Sequence, residues 1–123
     1  MKPQEAVSNL RYEGVASGSR QTYHVFRGRR HFLVLSFKRE EPTAGNFNII
    51  AATAVAYAES KYRGAKRITA KQVLSDARRT RHFKDRFAAL NTLYVLVALG
   101  KATVSRPGKP GSLLFSFPRI AAA

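Results

Sequence analysis

Two runs near the start of the chain, TYHVFRG and RHFLVLSFKR, are rich in β-branched and aromatic residues. Gly28, Arg29 and Arg30 separate them, which predicts a β-hairpin. Leu33, Val34, Leu35 and Phe37 form an almost continuous apolar run, the pattern of a strand covered on both faces. A weaker strand is predicted at LRYEGV, ended by GVASGS. The stretch EEPTAGN reads as a loop punctuated by Pro42 and Gly45. The period then changes. A first helix is predicted from Asn46 or Asn48, either of which is an acceptable N-cap, to Gly64 as its C-terminal stop. Ile50, Ala51, Ala54, Val55, Ala58 and Tyr62 share one face at helical spacing.

A second, short helix has the sharpest local signature. Thr69 is followed three residues later by Gln72, the capping-box pattern, and Ile68 and Val73 occupy the hydrophobic-staple positions. RRTRH makes a basic turn. A third helix is predicted from Phe83 to Leu99, with Gly100 at its end. Phe83, Phe87, Leu90, Leu93, Tyr94 and Val97 gather on one side, with Lys84, Asp85, Ala88, Asn91, Thr92 and Val95 opposite. Beyond Leu93 this helix is apolar nearly all round. The face carrying Val95, Ala98 and Leu99 therefore needs a cover, either the chain's own N-terminal strands or a second copy in a homodimer. ATVS and LLFSF are two short β-type runs flanking RPGKPGS, a hairpin whose tip carries Arg106 and Lys109.

The predicted class is α+β: an N-terminal β-hairpin, three helices and a C-terminal β-hairpin in a single domain. Its parts are a β-hairpin extension over 1–44, a core over 45–118 and a tail over 119–123. ITAKQVLSDA, FKDRFAALNTLYVLVALGKATV and RPGKPGSLLFSF resemble the winged helix-turn-helix superfamily over a little more than half of the chain. That resemblance implies that the third helix enters a DNA major groove and that the hairpin wing touches backbone or minor groove.

Charge sharpens this expectation. The 123 residues carry 22 Lys and Arg against 7 Asp and Glu, a formal charge of +15. Such an excess costs self-repulsion unless a polyanion offsets it. With 45% hydrophobic residues the chain can nonetheless bury a core, so it is no disordered basic tail. Between Lys61 and Arg86 ten cations face only Asp76 and Asp85, a net of +8. The expected nucleic-acid contacts are Lys66, Arg67, Thr69, Lys71, Arg78, Arg79, Arg81 and Lys84 around the helix-turn-helix. Asn91 and Thr92 are expected on the open face of the third helix, Arg106 and Lys109 on the wing, and Arg29 and Arg30 in the first hairpin turn. Asn pairs bidentately with adenine, which is why Asn91 is the base-reading candidate.

Other chemistry finds little support. Cysteine is absent, which excludes disulfides and Cys-ligated zinc. His24, His31 and His82 are dispersed, so no metal site is expected. LSFKREE holds Lys38 and Glu40 but lacks the paired carboxylates of a metal-dependent nuclease. No phosphate-loop, dinucleotide or serine-hydrolase motif occurs. The expectation is a non-enzymatic DNA-binding protein without cofactor, a transcription regulator or chromosomal protein, with DNA favoured over RNA. MKPQEAVSNL lacks the apolar run of a signal peptide, and no segment is long enough to span a membrane. A cytoplasmic, nucleoid-associated location follows. Two alternatives stand beside this reading. Tyr23, Phe26, Phe32 and Phe37, read here as core, lie among Arg27, Arg29, Arg30, Lys38 and Arg39; such a basic aromatic sheet would stack single-stranded DNA or RNA. The apolar face of the third helix would instead suit a protein-interaction or dimerisation module.

Overall fold

The computed structural model describes residues 1–41, 43–106 and 113–119. A one-turn helix, α1 (Pro3–Val7), leads into four strands: β1 (Arg11–Ser17), β2 (Gln21–Arg27), β3 (His31–Lys38) and β4 (Gly45–Ala51). They form an antiparallel meander in chain order. Three helices follow, α2 (Ala52–Lys61), α3 (Ala70–Asp76) and α4 (Arg86–Ala98), then a hairpin of β5 (Thr103–Ser105) and β6 (Leu114–Ser116). The fold is α+β, sheet first, then helices and a C-terminal hairpin.

The expected N-terminal hairpin is β2–β3, closed where the Gly28 N–H donates to the His31 carbonyl at 2.8 Å. The weaker expected strand is β1. The fourth strand corrects the sequence reading. Asn46 and Asn48 do not cap a helix; they alternate with Phe47 and Ile49 at period two and pair with Ser36 and Val34 of β3. Strand pairing overrides their capping preference, and the helix starts at Ala52. The Ala52 N–H finds its acceptor on the Arg30 carbonyl, at 3.0 Å, in the turn before β3. Residues 45–51 therefore belong to the N-terminal sheet.

Local signals placed the other helices well. The Thr69 hydroxyl accepts from the Gln72 N–H at 3.1 Å and starts α3. Asp85, two residues past the expected start of the third helix, caps α4 by accepting from the Ala88 N–H at 2.8 Å. Gly100, with φ +76°, ends it. The Lys101 N–H reaches the Leu96 carbonyl and the Gly100 N–H reaches Val97, the paired bonds of a Schellman stop.

Helix α4 is the centre of the molecule. Ala89, Leu93, Tyr94, Val95 and Leu96 are buried between the inner sheet face, with Ala16, Val25, Phe32, Val34 and Ile50, and the residues Ala54, Val55, Ala58 and Val73 of α2 and α3. Gly14, at a bulge in β1, makes this approach possible. Its φ of +154° suits glycine, and a Cβ there would lie 2.6 Å from the Ala98 carbonyl oxygen. On the face of Val95, Ala98 and Leu99, Val95 is buried, Ala98 meets β1 at Gly14, and Ala98 and Leu99 are partly buried against the core. Ahead of α3, Ile68 pairs with Phe115 through two backbone bonds of 2.8 Å, laying a short extended segment beside the β5–β6 hairpin.

Candidate nucleic-acid interface

Helix α2 ends at Lys61, and the chain reverses at Tyr62–Gly64 before running beside β6. The Tyr62 hydroxyl donates to the Asp76 carboxylate at 2.6 Å, tying the end of α2 to the end of α3. Burial pushes the Tyr62 phenol well above its ordinary value, and the Asp76 charge adds to the effect. The second acid of this region, Asp85, caps α4. Both carboxylates between Lys61 and Arg86 are therefore engaged by the fold. All ten cations of the same stretch, Lys61, Arg63, Lys66, Arg67, Lys71, Arg78, Arg79, Arg81, Lys84 and Arg86, are exposed. Among the described residues none of them forms an ion pair; the pairs found are Arg11–Glu13, Arg27–Glu13 and Lys101–Glu59.

Two of these arginines are held in an unusual backbone conformation. Arg67 has φ +60° and Arg81 φ +61°, the left-handed region that glycine occupies without penalty. An arginine there costs about 1 kcal/mol. Each lies in a connection that the fold pins at both ends. The Arg67 N–H donates to the Ser116 hydroxyl beside the Ile68–Phe115 pair. Arg81 sits between the Thr80 hydroxyl, which donates to the Ala77 carbonyl at 2.7 Å, and His82, whose ring stacks on Tyr57 at 4.6 Å.

The N-terminal ends of α3 and α4 meet the β1–β2 turn around a cleft of about 530 Å³. Arg20 from the turn, Lys71 from α3 and Arg86 from α4 line it, together with Phe87, Leu90 and a stacked pair of tyrosines. The Tyr23 and Tyr94 rings lie 4.1 Å apart, and burial raises both phenols above the ordinary tyrosine value. Sequence reasoning missed two members of this cleft. Arg20 lay in a turn with no distinguishing pattern. Phe87 was assigned to the apolar side of its helix, yet it is 67% exposed.

Several expected contacts are placed elsewhere. Asn91 and Thr92, expected on an open groove-reading face, are buried at 5% and 0% exposure. The sheet and the helices enclose α4, so the Asn91 amide donates to the Phe87 carbonyl and the Thr92 hydroxyl to the Ala88 carbonyl, both at 2.8 Å. Neither can touch a base edge. Thr69 serves as a cap. Arg106 donates through Nη2 to the Ser17 carbonyl at 2.8 Å and also to Gly18, so it anchors the C-terminal hairpin to the β1–β2 turn. Lys109 and the rest of the hairpin tip lie outside the described residues. Arg29 and Arg30 are exposed, but they stand at the N-terminal end of α2, about 15 Å of helix away from Lys61. There they line a separate cleft of about 1000 Å³ with Arg11, Arg27 and α1.

Of the four aromatics read as core, Phe32 is fully buried and Tyr23 packs inward against Tyr94, whereas Phe26 and Phe37 are half-buried on the other side of the sheet. No helix among the described residues is long and apolar enough to cross a membrane. Comparison with known protein families, with curated proteins and with solved structures finds no match for this chain.

Proposed function

We propose that the protein is a non-enzymatic nucleic-acid-binding protein that grips the phosphate backbone of duplex DNA through the cations between Lys61 and Arg86. The observation that carries this reading is that all ten cations are exposed, while both acids of the stretch are held in caps and hydrogen bonds. A surface of this kind gains affinity from counterion release and little from base identity. The order α2, the Ile68 segment, α3, α4 and β5–β6 supports a winged-helix arrangement over 52–118. Its use differs from the superfamily pattern. With α4 sheathed by the sheet, the contacts fall to α3, the turn at 77–85 and the first turn of α4, and sequence selectivity is weak. That profile suits a chromosomal protein better than a site-specific regulator.

Competition of duplex DNA, single-stranded DNA and RNA of equal length at one salt concentration tests the proposal. Duplex DNA should compete best, and different duplex sequences should compete within about tenfold of one another. A clear preference for single strands would refute duplex docking.

A further inference from the structure

The outer face of the sheet has a different chemistry from the rest of the molecule. Cross-strand register aligns its side chains in rows: Tyr12, Phe26, Leu33 and Ile49 in one, Val15, His24, Leu35 and Phe47 in the next, then Thr22 and Phe37. Leu33 is buried in the first of these rows, while the outer strands β1 and β4 leave their side chains open. Tyr12 is 52% exposed, Phe47 65%, and Val15 and Ile49 are also open. Helix α1 covers only the end of the face, where the Ala6 carbonyl accepts from His31 Nε2 at 2.9 Å, and it adds the exposed Met1 and Val7. Six of the seven large hydrophobic residues exposed in the described chain thus lie on or beside this one face.

The same rows contain no Lys, Arg, Asp or Glu; the cations beside them, Lys38 and Arg39, share a cleft with Thr22, His24 and Phe37 at one end of the face. On a chain of +15 the uncharged centre of the face favours a second copy as its occupant. Two copies repel wherever their cations meet, and the uncharged face is where they can approach without like-charge contact. A single nucleic-acid strand would need cations along the whole row of aromatics to hold its phosphates, whereas Lys38 and Arg39 stand at the Phe37 end of the face. Two aromatics of the face are moreover engaged edge-on: Phe26 with Tyr12 at 5.2 Å and Phe37 with His24 at 6.1 Å between ring centroids. Four strands about 4.8 Å apart, seven residues long, present roughly 400 Å² in projection. That is about half of the ~800 Å² each partner contributes to a standard interface, before side-chain relief, Met1 and Val7 are added.

We infer that this face is a homodimer interface in which two sheets pack outer face to outer face about a two-fold axis. The aligned geometry is that of a β-sandwich, with the sheets about 10 Å apart. The two helical layers then point away from each other. This last consequence rests on the function proposed above: each dimer would present two backbone-binding surfaces on opposite sides and could hold two duplex segments.

The test separates association from nucleic-acid binding. Light scattering of the full chain, free of nucleic acid, should give twice the 13.7 kDa chain mass, and Phe47→Asp should return it to 13.7 kDa. Phe47 is exposed, so its replacement leaves the core intact, which an unchanged circular dichroism spectrum checks, while the thermal midpoint falls and loses its dependence on concentration. Tyr12→Asp, on the opposite edge strand, provides an independent second variant. A wild-type mass of 13.7 kDa at every concentration overturns the inference. So does a doubled mass that neither variant alters, or protection of Tyr12 and Phe47 by single-stranded DNA in place of a second copy. Duplex affinity of the monomeric Phe47→Asp variant, measured separately, reads the functional proposal alone.

Discussion

Along residues 61–86 every lysine and arginine reaches solvent, whereas the outward rows of β1–β4 carry no lysine, arginine, aspartate or glutamate. These two surfaces lie on opposite sides of the same core, with α4 and the sheet between them. The contrast teaches that cations crowd one stretch and ring the ends of the sheet, while the centre of its outer face carries none. On the proposals above, a polyanion and a second copy would occupy different surfaces of one core.

The largest effect expected from breaking this contrast comes from charge reversal in the turn. The triple change Arg78→Glu, Arg79→Glu, Arg81→Glu should lower duplex affinity by about three orders of magnitude at physiological salt, read by fluorescence anisotropy. The same reversal at Arg29 and Arg30, beyond the far end of α2, should cost less than tenfold. Equal losses would show that the charge acts as a diffuse cloud and not as a surface. A much smaller effect sharpens the role of α4. Asn91→Ala should lower the melting temperature while leaving the salt dependence of duplex binding unchanged, since the buried side chain bonds, among the described residues, to Phe87 of its own helix. A lost base preference in that variant would restore groove reading.

What could be read in the sequence was mostly local. The Thr69 cap, the Gly100 stop, the β2–β3 hairpin and the flanks of the C-terminal hairpin each depend on residues within a few positions of one another. The basic stretch was legible for the same reason. The failures share a cause too. Asn46 and Asn48 look like caps until β3 is placed beside them, and Phe87 looks like core until α4 is oriented. Asn91 and Thr92 look solvent-facing until a sheet some sixty residues earlier in the chain is laid over their helix; the only hint was that α4 turns apolar all round after Leu93. Arg106 looked like a tip residue because nothing near it reveals the carbonyls of Ser17 and Gly18. The continuous apolar run of β3 suggested cover on both sides; Leu33 and Val34, on opposite faces, are buried, whereas Leu35 and Phe37 are half-buried.

The central claim is that exposed cations between Lys61 and Arg86 bind the phosphate backbone. Its most direct test is the dependence of duplex affinity on salt for the wild type and for Arg78→Ala, Arg79→Ala, Arg81→Ala. The wild type should give a log–log slope of magnitude about 5 to 8, and the triple variant a slope smaller by about 3, close to 0.9 for each phosphate no longer neutralised. A flat response in the wild type, or a slope that the three substitutions leave unchanged, would contradict it.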